Sequence, residues 1–248
     1  MKTVMLLGGT KGVGKEILKA SLKKGYNVSF CGRDEVLGAE IIEALDAKDK
    51  TYFHKIDLNS IDGIKAYFNE TIKKFGQIDA LIIYAGITPV ASIIDTEEDL
   101  YDKVFNVNLK APYFLLKHVL KSMMEFKTGS VVFFGSAHMD YGQADRTAYA
   151  LTKSTLYTLS THIAHHYAKY GIRSNYVVMG WTHTEGELEL RSTEGISEEE
   201  LKENAGSIIP MGRMLNPSDP VPAVMHFISD DSAMTTGSIM RITGGEYI

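Results

Sequence analysis

The chain has 248 residues, 44% of them hydrophobic and 23% charged, the make-up of an ordinary globular protein of one or two domains. Twenty-six basic against 31 acidic residues leave a net charge of −5, which excludes nucleic-acid or anionic-membrane binding that works through a basic surplus. The lone Cys31 excludes an intramolecular disulfide and a cysteine-rich zinc site, and it suits a reducing cytoplasm.

From the N-terminus, the apolar run ending at Leu7 is too short for a signal-peptide core and meets Gly8-Gly9 at once. No stretch reaches the roughly 18 apolar residues a membrane helix needs. In chain order, β-branched runs at 3–7, 27–31, 51–55, 80–83, 130–134, 173–178 and 238–242 read as strands. Between them, helical periodicity covers 14–24, 37–45, 61–75, 100–121, 148–170 and 220–229. Strict alternation, with strands apolar on consecutive positions, predicts one α/β domain over 1–248. Its centre is a seven-stranded, doubly wound parallel sheet of Rossmann type, with helices on both faces. One segment interrupts the pattern: 182–206 holds eight acidic and two basic residues, and it reads as an acidic flap over one edge of the sheet.

Gly8-Gly9-Thr10-Lys11-Gly12-Val13-Gly14 joins the first strand to the first helix. Glycines there let the backbone turn tightly and approach a pyrophosphate seated on the helix N-terminus. No Gly-Lys-Ser/Thr closes the loop, so it is not a P-loop.

The spacing G-x-x-x-G-x-G resembles that of the short-chain dehydrogenase/reductase family, with Leu7 where the family has threonine. The likeness covers essentially the whole chain. Ile83-Tyr84-Ala85-Gly86 stands at the family's Asn-Asn-Ala-Gly. Asn108, Ser136, Tyr149 and Lys153 repeat its Asn-Ser-Tyr-Lys set in order. The run from Asn175 to Thr184 is similar to N-x-V-x-P-G-x-x-x-T, with Met179 for the proline. Members similar to 3-oxoacyl-carrier-protein reductases and carbonyl reductases match best. The resemblance implies hydride transfer between a nicotinamide cofactor and a carbonyl or secondary alcohol. It assigns the cofactor contacts to Gly8, Thr10, Lys11, Gly12, Val13, Gly14, Arg33, Asp57, Leu58, Ala85, Gly86, Tyr149, Lys153, Gly180, Thr182 and Thr184. It also implies a homotetramer built on the two long helices.

Cofactor choice follows from charge at the adenosine ribose. Gly32 stands at the position resembling the family's acidic one, followed by Arg33, with Lys11 in the glycine loop. Two cations and no carboxylate predict NADP(H) over NAD(H), with Asp34 as the competing anion one residue further on. Asp57 resembles the family aspartate that accepts from the adenine amino group, although aspartates at strand ends also cap turns.

Reducing a ketone builds negative charge on oxygen and requires a proton donor within about 3 Å. Tyr149 is that donor, one helical turn from Lys153, whose charge is expected to favour phenolate. Ser136 polarises the same oxygen, and Asn108 is expected to bend its helix and anchor a water towards Lys153. His138, Gln143, Met179 and Trp181, with Met139, Asp140, Tyr141 and the flap, are the candidate substrate pocket. Their polarity favours a small polar carbonyl compound, and the acidic flap should repel an acidic carrier protein. The alternatives are a 3-oxoacyl thioester reductase and a non-catalytic dinucleotide-binding regulator. No metal, nucleic-acid or membrane partner is expected; His162, His165 and His166 read as interfacial side chains.

Overall fold

The computed structural model describes residues 1–140 and 142–246. Alternate residues of β1 (Thr3–Leu7) face opposite ways: Val4 and Leu6 enter one apolar layer, Met5 and Leu7 another. A strand apolar on both faces must be covered on both. Joining it are β2 (Asn27–Gly32), β3 (Thr51–Lys55), β4 (Ala80–Ile83), β5 (Gly129–Ser136), β6 (Ile172–Met179) and β7 (Ile239–Ile242). Every pairing is parallel, in the order β3-β2-β1-β4-β5-β6-β7.

The helices are α1 (Gly12–Lys23), α2 (Glu35–Ala44), α3 (Ile61–Phe75), α4 (Glu98–Phe105), α5 (Ala111–Phe126), α6 (Thr147–His166), α7 (Glu185–Thr193), α8 (Glu198–Ile208) and α9 (Val221–Ile228). Val13 and Ile17 of α1, Ile41 of α2 and Phe227 of α9 close the layer under Val4 and Leu6. Tyr67 of α3, Leu115 of α5 and Leu156 of α6 close the other. The single doubly wound domain is therefore as expected. Its strand order reverses between β1 and β4, where the carboxyl ends open a crevice in this class of sheet. Among the described residues no helix is long and apolar enough to cross a membrane.

Two expectations change. The helix expected over 100–121 is interrupted by a π-helical turn at Asn106–Lys110. Pro112, at the start of α5, has no N–H to offer the carbonyl of Asn108 four residues back, and the ladder widens there. The acidic segment, expected only as a flap, forms the two helices α7 and α8. Thr184 caps α7 through the Glu187 N–H, and a Ser197–Glu200 capping box opens α8. The two helices pack on their own small core of Leu201, Ala205, Ile209 and Met214 with Trp181, Leu188 and Ile196. Contacts from α7 reach the glycine loop at the carboxyl end of β1.

Candidate active site

β5 runs two residues beyond its expected end, so Ser136 is its last residue and pairs in register with Met179 of β6. Tyr149 and Lys153 lie one turn apart on α6, and Tyr149 shares one cavity with Ser136, near enough for the serine hydroxyl to act on the phenol. Burial raises the Tyr149 pKa above its ordinary value; the Ser136 hydrogen bond and the charge of Arg146 pull it down, and Glu187 pushes it up. Arg146 is thus a cation that favours phenolate here, one the sequence reading did not name. The Lys153 ammonium donates to the Phe134 carbonyl at 2.9 Å and lies 5.5 Å from the centre of the Tyr149 ring. Burial lowers the Lys153 pKa to about 8.

Asn108 sits in the π turn and is fully enclosed. Its side chain accepts from the Ile87 N–H at 2.8 Å, donates to the Ile87 carbonyl at 2.8 Å and reaches the Thr152 hydroxyl at 3.3 Å. The amide thus holds the turn after β4 against α6. Ala85 and Gly86 lie in that turn. A Cβ on Gly86 would stand 3.1 Å from the Asn108 oxygen and 3.7 Å from the Lys153 nitrogen.

In the glycine loop, Gly8, Gly9 and Gly12 have positive φ, and a Cβ on Gly14 would strike the Gly9 backbone at 2.9 Å. The Val13 side chain belongs to the core, leaving its backbone for a ligand. The Gly12 N–H donates to the Glu185 carboxylate at 3.1 Å, and Lys11 pairs with Glu189 at 3.3 Å. Lys11 therefore faces the flap, and the structure pairs it with a carboxylate. Thr184 packs against Gly12 from α7.

At the ribose end, Thr10 crowds Gly32, where any Cβ would lie 2.7 Å from the threonine methyl. Glycine is needed there for packing, apart from any cofactor. Arg33 is exposed, with no ion pair among the described residues. The Asp34 carboxylate is committed to capping α2, accepting from the Leu37 N–H at 3.1 Å. Asp57 accepts from the Asn59 backbone and side chain at 3.0 and 2.9 Å, a turn cap that holds its pKa low. Leu58 packs against the core.

A cavity of about 190 Å³ adjoins Ser136 and Tyr149 and is lined also by His138, Gln143, Met179, Gly180, Trp181, Thr182 and Thr184. The Gln143 N–H faces His138 Nδ1 at 3.3 Å, and burial, with Arg146 nearby, lowers the His138 pKa. Two expected pocket residues lie elsewhere: Met139 packs on the core and Asp140 is paired with Arg241. Tyr141 lies outside the described residues. The Gly180 Cβ position faces Thr243 and Glu246. Glu187 and Arg191 of the flap also line the cavity, and the sequence reading missed Arg146 and Glu246 beside them.

A family model described as enoyl-(acyl carrier protein) reductase matches residues 8–246. The chain belongs to the short-chain dehydrogenase/reductase family. A 3-oxoacyl-[acyl-carrier-protein] reductase of Thermotoga maritima is 30% identical, with 100% of this chain and 98% of that one covered. An L-rhamnose 1-dehydrogenase (NADP(+)) of Thermoplasma acidophilum is 28% identical over 100% and 96% of the two chains. The solved structure of ElxO with NADP bound superposes with a TM-score of 0.90 at 27% identity, covering 99% of this chain and 98% of that one. As a member of this family the protein is an oxidoreductase that interconverts a carbonyl and an alcohol with a nicotinamide dinucleotide. The glycine loop fits that cofactor: its glycines leave the backbone bare at the head of α1, and the Gly12 N–H is already directed at an anion.

Proposed function

We propose that the protein is an NADP(H)-dependent reductase of a small polar carbonyl compound, with Tyr149 as the proton donor. The observation that carries this reading is the convergence of Ser136 and Tyr149 on one cavity, with the Lys153 ammonium 5.5 Å from the centre of the phenol ring. The nicotinamide, when bound, supplies the hydride. Ser136 and the Tyr149 hydroxyl hold the carbonyl oxygen from two sides, and the phenol passes its proton to that oxygen as charge builds there. Lys153 sits where an ammonium can hold the nicotinamide ribose, and Asn108 fixes the turn carrying Ala85 and Gly86 against it.

Preference for NADP(H) is supported by an unpaired Arg33 at the end of β2 and by an Asp34 carboxylate already spent on a helix cap. The NADP of ElxO and of the rhamnose dehydrogenase points the same way. Segment 182–206 serves as the substrate flap. A cytoplasmic location is in keeping with a single, buried, unpaired cysteine. A homotetramer is supported by an apolar groove between α5 and α6.

The test is Tyr149→Phe, followed by single-turnover reduction across a panel of ketones and by NADPH binding measured separately. Removing a general acid typically costs about 10²–10⁴ in rate. Turnover should fall by that order while NADPH still binds. Full activity in the variant would refute the assignment.

A further inference from the structure

We propose that the carbonyl substrate is a small oxo acid, its carboxylate held by Arg146 beside the Ser136–Tyr149 pair. This rests on Tyr149 being the proton donor and goes beyond it by naming the substrate class. Arg146 immediately precedes α6 and is only 4% exposed, yet it lines the cavity with Ser136, His138 and Tyr149. A guanidinium carries five N–H donors. Among the described residues, its partners are the Asp145 carbonyl at 3.4 Å and the Asp145 carboxylate at 3.5 Å, both met by one terminal nitrogen. A buried charge so poorly matched is costly unless something else completes its shell.

The other cation of the cavity, Arg191, is already matched. Arg191 donates to Glu187 and to Glu194, each at 2.8 Å, and Glu187 also accepts from the Trp181 indole at 2.6 Å. Glu246 accepts from the Trp181 N–H at 3.0 Å. His138 is held towards its neutral form by burial. Among the described residues Arg191 already meets two carboxylates closely whereas Arg146 meets only Asp145, at longer range through one nitrogen, and a planar guanidinium pairs with a carboxylate through two parallel hydrogen bonds. A doubly charged phosphate would meet Glu187 and Glu246 in the same space, and a single carboxylate meets less of that repulsion.

Size and spacing narrow the class. The cavity is about 190 Å³, below the roughly 300–1,000 Å³ of drug-sized ligand sites, so it suits an acid of few carbons. Arg146 and Tyr149 line the same small cavity, so the reacting carbonyl and the carboxylate must be only a few bonds from each other. In the reaction, the oxo acid takes up two electrons and two protons and leaves as the hydroxy acid. The reduced nicotinamide is oxidised, and one of the protons comes from the Tyr149 hydroxyl.

The experiment compares pyruvate, acetoacetate and levulinate with their methyl esters, using the full chain and NADPH. At least one acid should exceed its ester by about 10²-fold in kcat/KM, the scale of a charge-assisted pair. Arg146→Gln should collapse that ratio towards one, mainly through KM, and Arg146→Lys should restore part of it. An ester as good as its acid in the unaltered protein, or a ratio that survives in Arg146→Gln, would overturn the proposal. Binding gives a second readout: with NADP present, acetoacetate or levulinate should raise the melting midpoint of the unaltered protein but not of Arg146→Gln. No shift with either acid counts against the proposal even if nothing turns over. Failure of the Tyr149 assignment shows separately, as reduction that persists in Tyr149→Phe.

Discussion

The Tyr176 hydroxyl donates to the backbone carbonyl of Lys153 at 2.6 Å, tying the floor of the sheet to the helix that carries the site. Tyr176 is fully buried, and its ring occupies the space that a side chain at Gly135 would need. Gly135→Ala should therefore displace Tyr176 and, through it, the turn of α6 that holds Lys153. Overpacking of this kind typically costs about 1–3 kcal/mol. Urea denaturation should show that loss, and turnover should fall with it. Tyr176→Phe, which keeps the ring and deletes the donor, should cost less and leave the fold's midpoint closer to that of the parent. Equal midpoints for Gly135→Ala and the unaltered protein would contradict the packing described.

Lys153 gives the stability curve a definite slope. Burial lowers its pKa from 10.5 to about 8, so between those values the unfolded chain holds a proton that the folded chain has lost. Stability rises with pH wherever the unfolded state binds more protons. Below about pH 8 the folded protein bears the whole cost of a buried ammonium; towards pH 10 that cost fades. Lys153→Met should be more stable than the parent at pH 7 and should lose this rise, on a scale of about 3 kcal/mol. Thermal melts from pH 7 to pH 9.5 measure it. A parent and variant with parallel pH profiles would count against a buried, desolvated Lys153.

Much of this architecture could be read from residue order, because strands covered on both faces and helices with one apolar face obey simple periodicities. The glycine loop stood out by its place between a strand and a helix, and Ser136, Tyr149 and Lys153 through their resemblance to the family's ordered set. What could not be read was pairing across the chain. Nothing in the sequence distinguishes Arg146 from the other 25 basic residues until burial singles it out. Lys11 and Arg33 look equivalent as phosphate partners until Glu189 is seen to claim Lys11. The π turn had a local signal in Pro112, but the Asn108–Ile87 pairing that exploits it spans 21 residues.

Glu185 and Arg33 should act on cofactor affinity in opposite senses. Glu185 places a carboxylate on the Gly12 N–H, the kind of donor that a pyrophosphate takes at a helix N-terminus. Glu185→Gln removes a competing anion, so NADPH and NADH should both bind more tightly, by a similar factor. Arg33→Ala should weaken NADPH by about tenfold or more and leave NADH nearly unchanged, since only the former carries the extra phosphate. Fluorescence titration of both cofactors against both variants separates the two effects. If NADPH and NADH bind the unaltered protein equally, Arg33 does not read the phosphate.

Assembly is testable at the groove between α5 and α6. A space of about 530 Å³ is lined by Phe105, Leu109, Tyr113, Phe114, Leu159 and His162, and the Tyr113 side chain beside it is 55% exposed in the single chain. Apolar surface of this kind on a helix pair marks a protein–protein contact, and a second copy of the same chain related by a two-fold axis covers it most simply. Tyr113→Glu should leave the isolated fold intact, because that side chain supports little of the core, but it should place a charge in the contact. Light scattering should give the mass of four chains for the unaltered protein and a smaller species for Tyr113→Glu, with circular dichroism unchanged. A single-chain mass for the unaltered protein at working concentrations would dispose of the assembly.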